Sequence, residues 1–314
     1  MSEPAERDAR NPRRRRLLVG LVACVVLGFL VLTAVTQWHE LRDADVRFAP
    51  GWFAVGLVGL LAYQVAQGEV SRPVLRALGS SIAAPRMRTI VGAGLLARYV
   101  PTGALTVVVR VAMEGREGVP QRTAVVGLLY EFAFAVSAAG IVSGLLLFRI
   151  GAEWGLLWLV ASPIAVAILL HPRVFVAAVN GILARFGRPT VTRPVGLRAG
   201  LGLTALCVVS FVLYGLGVLC VVAGITTIPD GAVAVIVASA GVGFIASMVG
   251  FALPGGLGAR EAGLALALGL VLPGPLALAV TLICRLLQIA AEVLYASATS
   301  LYDRGRRAAS GASA

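Results

Sequence analysis

Tyr99-Val-Pro-Thr-Gly-Ala-Leu-Thr-Val-Val-Val-Arg110, together with Leu253-Pro-Gly-Gly-Leu-Gly-Ala-Arg-Glu261, sets helix-breaking Pro and Gly beside charge inside otherwise apolar sequence. In hydrocarbon an unpaired backbone N–H or C=O costs several kcal/mol. Non-helical backbone at membrane depth therefore persists only where protein covers it or where it lines a polar cleft. A pair of such interruptions in comparable places points to a transporter-type binding site.

The sequence around these breaks is 59% hydrophobic and 13% charged, with a mean hydropathy of +0.91. That is the composition of a polytopic membrane protein, not of a soluble domain. The net charge of +12 comes from 27 basic residues, all of them Arg, lying between apolar runs. A nucleic-acid binder would cluster them on one accessible face, so no nucleic-acid partner is expected. The four cysteines, Cys24, Cys207, Cys220 and Cys284, sit in apolar runs without metal-ligand spacing and read as small buried hydrophobes. With only His39 and His171 as histidines, no metal, cofactor or histidine-based catalysis is expected, and the chain does not read as an enzyme.

Apolar runs long enough to span a core about 30 Å thick occur at 17–37, 51–67, 123–148, 155–170, 199–224 and 276–298. Leu21-Val-Ala-Cys24 resembles a lipoprotein cleavage box after Arg13 to Arg16. The apolar run continues to Gln37, however, so an uncleaved signal-anchor span is expected. Two further segments, 89–109 and 232–272, contain the breaks. If 89–109 is a re-entrant hairpin, the predicted cytoplasmic segments hold 21 Arg and the outer loops three, Arg42, Arg47 and Arg149. If it crosses, every later loop inverts and the asymmetry collapses, so the positive-inside rule favours the hairpin. Trp38, Trp52, Trp154 and Trp158 fall at the predicted outer interface, as amphipathic aromatics do.

The predicted fold is thus an all-α polytopic membrane protein with about six full transmembrane helices and two re-entrant hairpins. Residues 1–16 form a basic cytoplasmic tail, 17–300 a single transmembrane domain with halves 17–148 and 155–298, and 301–314 a second cytoplasmic tail. Disorder is expected before residue 17 and after Tyr302. Segment 171–198 reads as a cytoplasmic interfacial helix and linker. Each half runs as two spans, a hairpin and a span, and three crossings per half would invert the second half relative to the first. An irregular helical bundle is the alternative. Gly51, Gly56, Gly59, Gly241 and Gly243 serve either internal packing or dimer contacts.

Arg98, Glu131, Arg260, Glu261, Arg285 and Glu292 fall inside the predicted membrane region. At about 3 kcal/mol each for lipid exposure, the set would cost on the order of 15 to 20 kcal/mol, more than the roughly 5 to 15 kcal/mol that stabilises a fold. These residues must pair, snorkel or face a hydrated cavity. Structural ion pairs such as Arg110 with Glu131, or Arg285 with Glu292, are one solution. A polar cavity lined by Arg110, Glu131, Arg260, Glu261, Arg285 and Glu292, with the turns Pro101, Gly103, Pro254, Gly255, Gly256 and Gly258, is the other. Arginines and helix N-termini suit an anion, and the anion at hand in a bilayer is a lipid phosphate.

At these residues the chain resembles the transmembrane-domain family of lysylphosphatidylglycerol synthase/flippase proteins. The likeness rests on Tyr99, Pro101, Gly103 and Arg110, on Gly118-Val-Pro120 with Glu131, on Pro254-Gly-Gly-Leu-Gly-Ala-Arg-Glu261, and on Arg285. It covers residues 15–300 and implies a stand-alone member without the synthase domain, placed in the plasma membrane with both termini cytoplasmic. The implied role is moving or handling an anionic phospholipid or a polyprenyl-linked lipid, with membrane lipids as partners. The alternative is a non-transporting scaffold for a lipid-modifying or glycosyl-transferring enzyme.

Overall fold

The structure, a computed structural model, describes residues 48–99, 105–150, 161, 164, 174, 177, 180, 181, 195–249 and 258–311. Among them nine helices are delimited and no strand occurs: α1 Pro50–Gly68, α2 Ser71–Ala77, α3 Ala84–Ala97, α4 Leu105–Arg116, α5 Gln121–Ile150, α6 Leu197–Ile225, α7 Val233–Val249, α8 Ala259–Leu268 and α9 Gly274–Gly311. Four stretches are long and apolar enough to cross a membrane: Pro50–Ala77, Gln121–Leu146, Leu197–Ile225 and Gly274–Ala309. They coincide with four of the predicted spans. The other two, 17–37 and 155–170, lie outside the described residues, as does most of 171–198.

Each broken segment becomes a pair of shorter helices. With 14 and 12 residues, α3 and α4 reach only about 20 Å, too short to cross a core about 30 Å thick. In the second pair α7 has 17 residues and α8 has 10. Pro101 and Pro254, each within a Gly-containing stretch, give the sequence reason for both interruptions, because proline supplies no N–H and clashes with the preceding turn. The helices of each pair pack on one another, α3 on α4 and α7 on α8. At the start of α3, Arg86 Nε donates to Glu117, one residue past α4, at 2.6 Å. The start of α3 and the end of α4 therefore lie side by side. Glu69, just after α1, and Asp303, late in α9, join the same end through Arg88 and Arg86.

Part of the packing repeats between the two halves. Exchanging α1, α3, α4 and α5 for α6, α7, α8 and α9 maps α3 on α9 to α7 on α5, α4 on α5 to α8 on α9, and α1 on α9 to α6 on α5. The α1–α6 contact maps onto itself. It is a close one, since a Cβ added at Gly56 would lie 3.1 Å from the Gly217 carbonyl oxygen. A Cβ at Gly241 would likewise meet the Ala139 carbonyl oxygen at 2.5 Å. Gly56, Gly59, Gly241 and Gly243 thus serve internal packing, letting backbones approach, while Gly51 has open space beside it.

Tyr130, Phe134, Phe211, Ile236 and Leu268 fill the core, yet so do Glu114, Gln288 and Glu292. Outside, Val58, Val209, Phe132 and Val293 lie 46 to 64% exposed on four different helices. Apolar residues outside and charge inside is the arrangement that a bilayer stabilises and water does not. One expectation is corrected here. The chain after Tyr302 is helical to Gly311, because Asp303 is buried between Arg86 and Arg307 and holds the last turns of α9 in place.

Candidate functional site

The predicted site residues divide into two clusters. In the first, Arg110 of α4 forks onto Glu131 of α5, with Nη1 to Oε2 at 2.6 Å and Nη2 to Oε1 at 2.9 Å. The same Nη2 reaches Glu114 at 3.2 Å and the Ser71 hydroxyl at 3.1 Å. Gly94 of α3 makes room for the arginine stem, since a Cβ there would lie 2.7 Å from Arg110 Cγ. Two parallel N–H···O bonds to one carboxylate form the strongest geometry available to guanidinium, and they bind α4 to α5. Arg110 and Glu114 are buried, and the second carboxylate oxygen of Glu114 has no hydrogen-bond partner among the described residues.

The second cluster forms where the two breaks meet the middle of α9. Arg285, Gln288 and Glu292 lie three and four residues apart, so they share one buried helix face. From the first break, Arg98 pairs with Glu292, and the Tyr99 hydroxyl donates to the other Glu292 oxygen at 2.7 Å. Gln288 Nε2 donates to Glu292 Oε1 at 2.9 Å, and the Tyr214 hydroxyl of α6 donates to Gln288 Oε1 at 3.3 Å. From the second break, Glu261 pairs with Arg285 Nη1 at 3.2 Å, while its other oxygen accepts the Gly258 N–H at 2.8 Å. Gly258 has φ +91°, a conformation open to glycine alone without strain, and it starts α8 so that Glu261 faces α9.

The charge count of this second cluster does not close. Arg98, Arg260 and Arg285 stand against Glu261 and Glu292. Arg260 has no carboxylate partner among the described residues. Its guanidinium lies over the Tyr214 ring, 5.0 Å from the centroid, and its Nη2 is buried without a hydrogen-bond partner. Arg285 keeps its Nε–H unspent as well. Cation–π contact contributes about 0.5 to 2 kcal/mol, and Arg260, only partly buried, has no carboxylate among the described residues to add to it. Glu292 is sealed at 0% exposure, but Arg98 keeps 26% of its side chain accessible, so the network has an open edge at the first break.

The structure thus brings Arg260, Glu261, Arg285, Glu292 and Gly258 together and puts Arg110 and Glu131 in a separate lock. The pairing of Arg285 with Glu292 is corrected: each is taken by a break residue instead, Arg285 by Glu261 and Glu292 by Arg98. Pro101, Gly103, Pro254, Gly255 and Gly256 lie outside the described residues. Sequence reasoning passed over Glu114, although its i,i+4 spacing from Arg110 was a readable signal. It also passed over Tyr214 and Gln288, neutral groups that a charge count does not register, and gave Tyr99 no place in the site. No family model matches the chain, and no curated protein or solved structure does.

Proposed function

We propose that the chain is an integral membrane protein that handles an anionic lipid, acting as a flippase or transporter. Six spans and two hairpins, re-entrant from opposite faces, frame a headgroup site at the second cluster, and the acyl chains stay in the bilayer. The observation that carries this reading is Arg260, a permanently charged, partly buried fork whose Nη2 is sealed from solvent and which has no carboxylate partner among the described residues. A phosphate oxygen would supply both the missing charge and the missing acceptor. The likeness to the lysylphosphatidylglycerol synthase/flippase transmembrane domain and the matched packing of the two halves support the same reading.

The test is translocation of fluorescent phospholipids with varied headgroups in proteoliposomes, comparing the native chain with a folded Arg260→Gln protein. Headgroup-dependent flipping by the native chain, lost in the variant, is the expected result. Equal flipping by both proteins contradicts the assigned site. Absence of flipping for every phospholipid contradicts the phospholipid reading and favours a polyprenyl-linked substrate or the scaffold role.

A further inference from the structure

We propose that the second cluster selects its ligand by charge: it accepts a phosphodiester monoanion and discriminates against both a phosphomonoester dianion and a net-neutral headgroup. This deepens the lipid-handling reading and rests on it. Among the described residues, three guanidinium groups and two carboxylates leave a surplus of one positive charge in a partly desolvated network. A ligand of charge minus one neutralises the site. A dianion would leave one negative charge over and a zwitterion one positive charge over, and an uncompensated charge in a desolvated site opposes binding.

The donors agree with the charge count. Among the described residues of the cluster, Arg260 Nη2 and Arg285 Nε are buried guanidinium nitrogens with neither a hydrogen-bond nor a carboxylate partner, Arg98 Nη2 being taken by Glu292 and the Tyr99 and Tyr214 hydroxyls being already spent. A phosphodiester presents two non-bridging oxygens that share one charge, one for each donor. Such a group occurs in phospholipid headgroups and also in soluble glycerophosphodiesters.

The experiment follows thermal unfolding of the full chain in a neutral detergent as each probe is titrated. The probes are dihexanoylphosphatidylglycerol, fully ionised dihexanoylphosphatidic acid, dihexanoylphosphatidylcholine and glycerophosphoglycerol. Short-chain phosphatidylglycerol is expected to stabilise the protein at concentrations about tenfold or more below those needed for either other lipid, as a charge-assisted hydrogen bond predicts. Arg260→Gln removes the surplus and is expected to abolish the shift, whereas Glu261→Gln or Glu292→Gln raises the surplus and moves the preference toward phosphatidic acid. Phosphatidic acid binding the native chain as well as phosphatidylglycerol does, or an unchanged shift in Arg260→Gln, overturns the proposal. Glycerophosphoglycerol matching the lipid supports charge selection and overturns the lipid source. Selective binding without flipping in proteoliposomes supports charge selection and removes the transport reading alone.

Discussion

The contacts of α4 with α5 and of α8 with α9 are equivalent under exchange of the halves, and each carries a buried ion pair of opposite polarity. In the first half the hairpin helix supplies the cation, Arg110, and the long helix the carboxylate, Glu131. In the second the hairpin helix supplies the carboxylate, Glu261, and the long helix the cation, Arg285. The surroundings are opposite as well: Glu114 gives the first cluster a carboxylate in excess, and Arg260 gives the second a cation in excess. The first cluster is a closed lock within the bundle. The second is tied through Glu292 to the first break and through Arg285 to the second, and keeps an accessible edge at Arg98. Ion pairs in equivalent slots therefore need not share a charge balance, and the proposed binding role rests on that difference.

Breaking the lock should have the largest effect. Arg110→Leu strands two buried carboxylates and is expected to cost about 3 to 5 kcal/mol, read as a lowered unfolding midpoint in detergent. A midpoint close to native would show that the lock contributes little. Gly94→Ala pushes a methyl group against the pinned arginine stem, and overpacking of that kind costs about 1 to 3 kcal/mol. If it and Arg110→Leu prove additive in a double-mutant cycle, the stem contact is not what Gly94 serves. Gly258→Ala forces a side chain into the positive-φ cap of α8, with about 1 to 2 kcal/mol lost, and it should weaken lipid binding more than Gly94→Ala does. Equal binding by both proteins would separate the cap from the site. The smallest effect belongs to Glu114→Gln, which removes the excess carboxylate while keeping its shape. A change within about 1 kcal/mol in either direction is expected, and a loss as large as that of Arg110→Leu would mean that both carboxylates are needed.

The long helices were legible because an apolar run near 20 residues has few other uses. Pro101 and Pro254 located both breaks for equally local reasons. Which inward charge meets which was not legible. Arg285 and Glu292 share a face at a separation of seven, and that periodicity says both point inward without saying what faces them. Packing of the breaks onto α9 decides it. Glu114 lies beyond the predicted hairpin 89–109 and so outside the expected membrane region, whereas α4 continues to Arg116 and buries it. Gln288 completes the second network between two charged residues, yet as a neutral group it carries no penalty that sequence inspection would flag. Past Tyr302 the basic composition suggested disorder, and the Asp303 contacts that order it depend on the start of α3, far away in the chain.

The comparison reduces to whether Arg260 serves the fold or a ligand. The most direct measurement is the unfolding midpoint of Arg260→Gln against the native chain in neutral detergent, first without lipid and then with anionic phospholipid. The account predicts that the lipid-free variant is at least as stable as the native chain, since a partly buried charge without a carboxylate partner among the described residues has been removed, and that anionic lipid no longer stabilises it. A lipid-free loss comparable to that of Arg110→Leu, with lipid stabilisation intact, would contradict it.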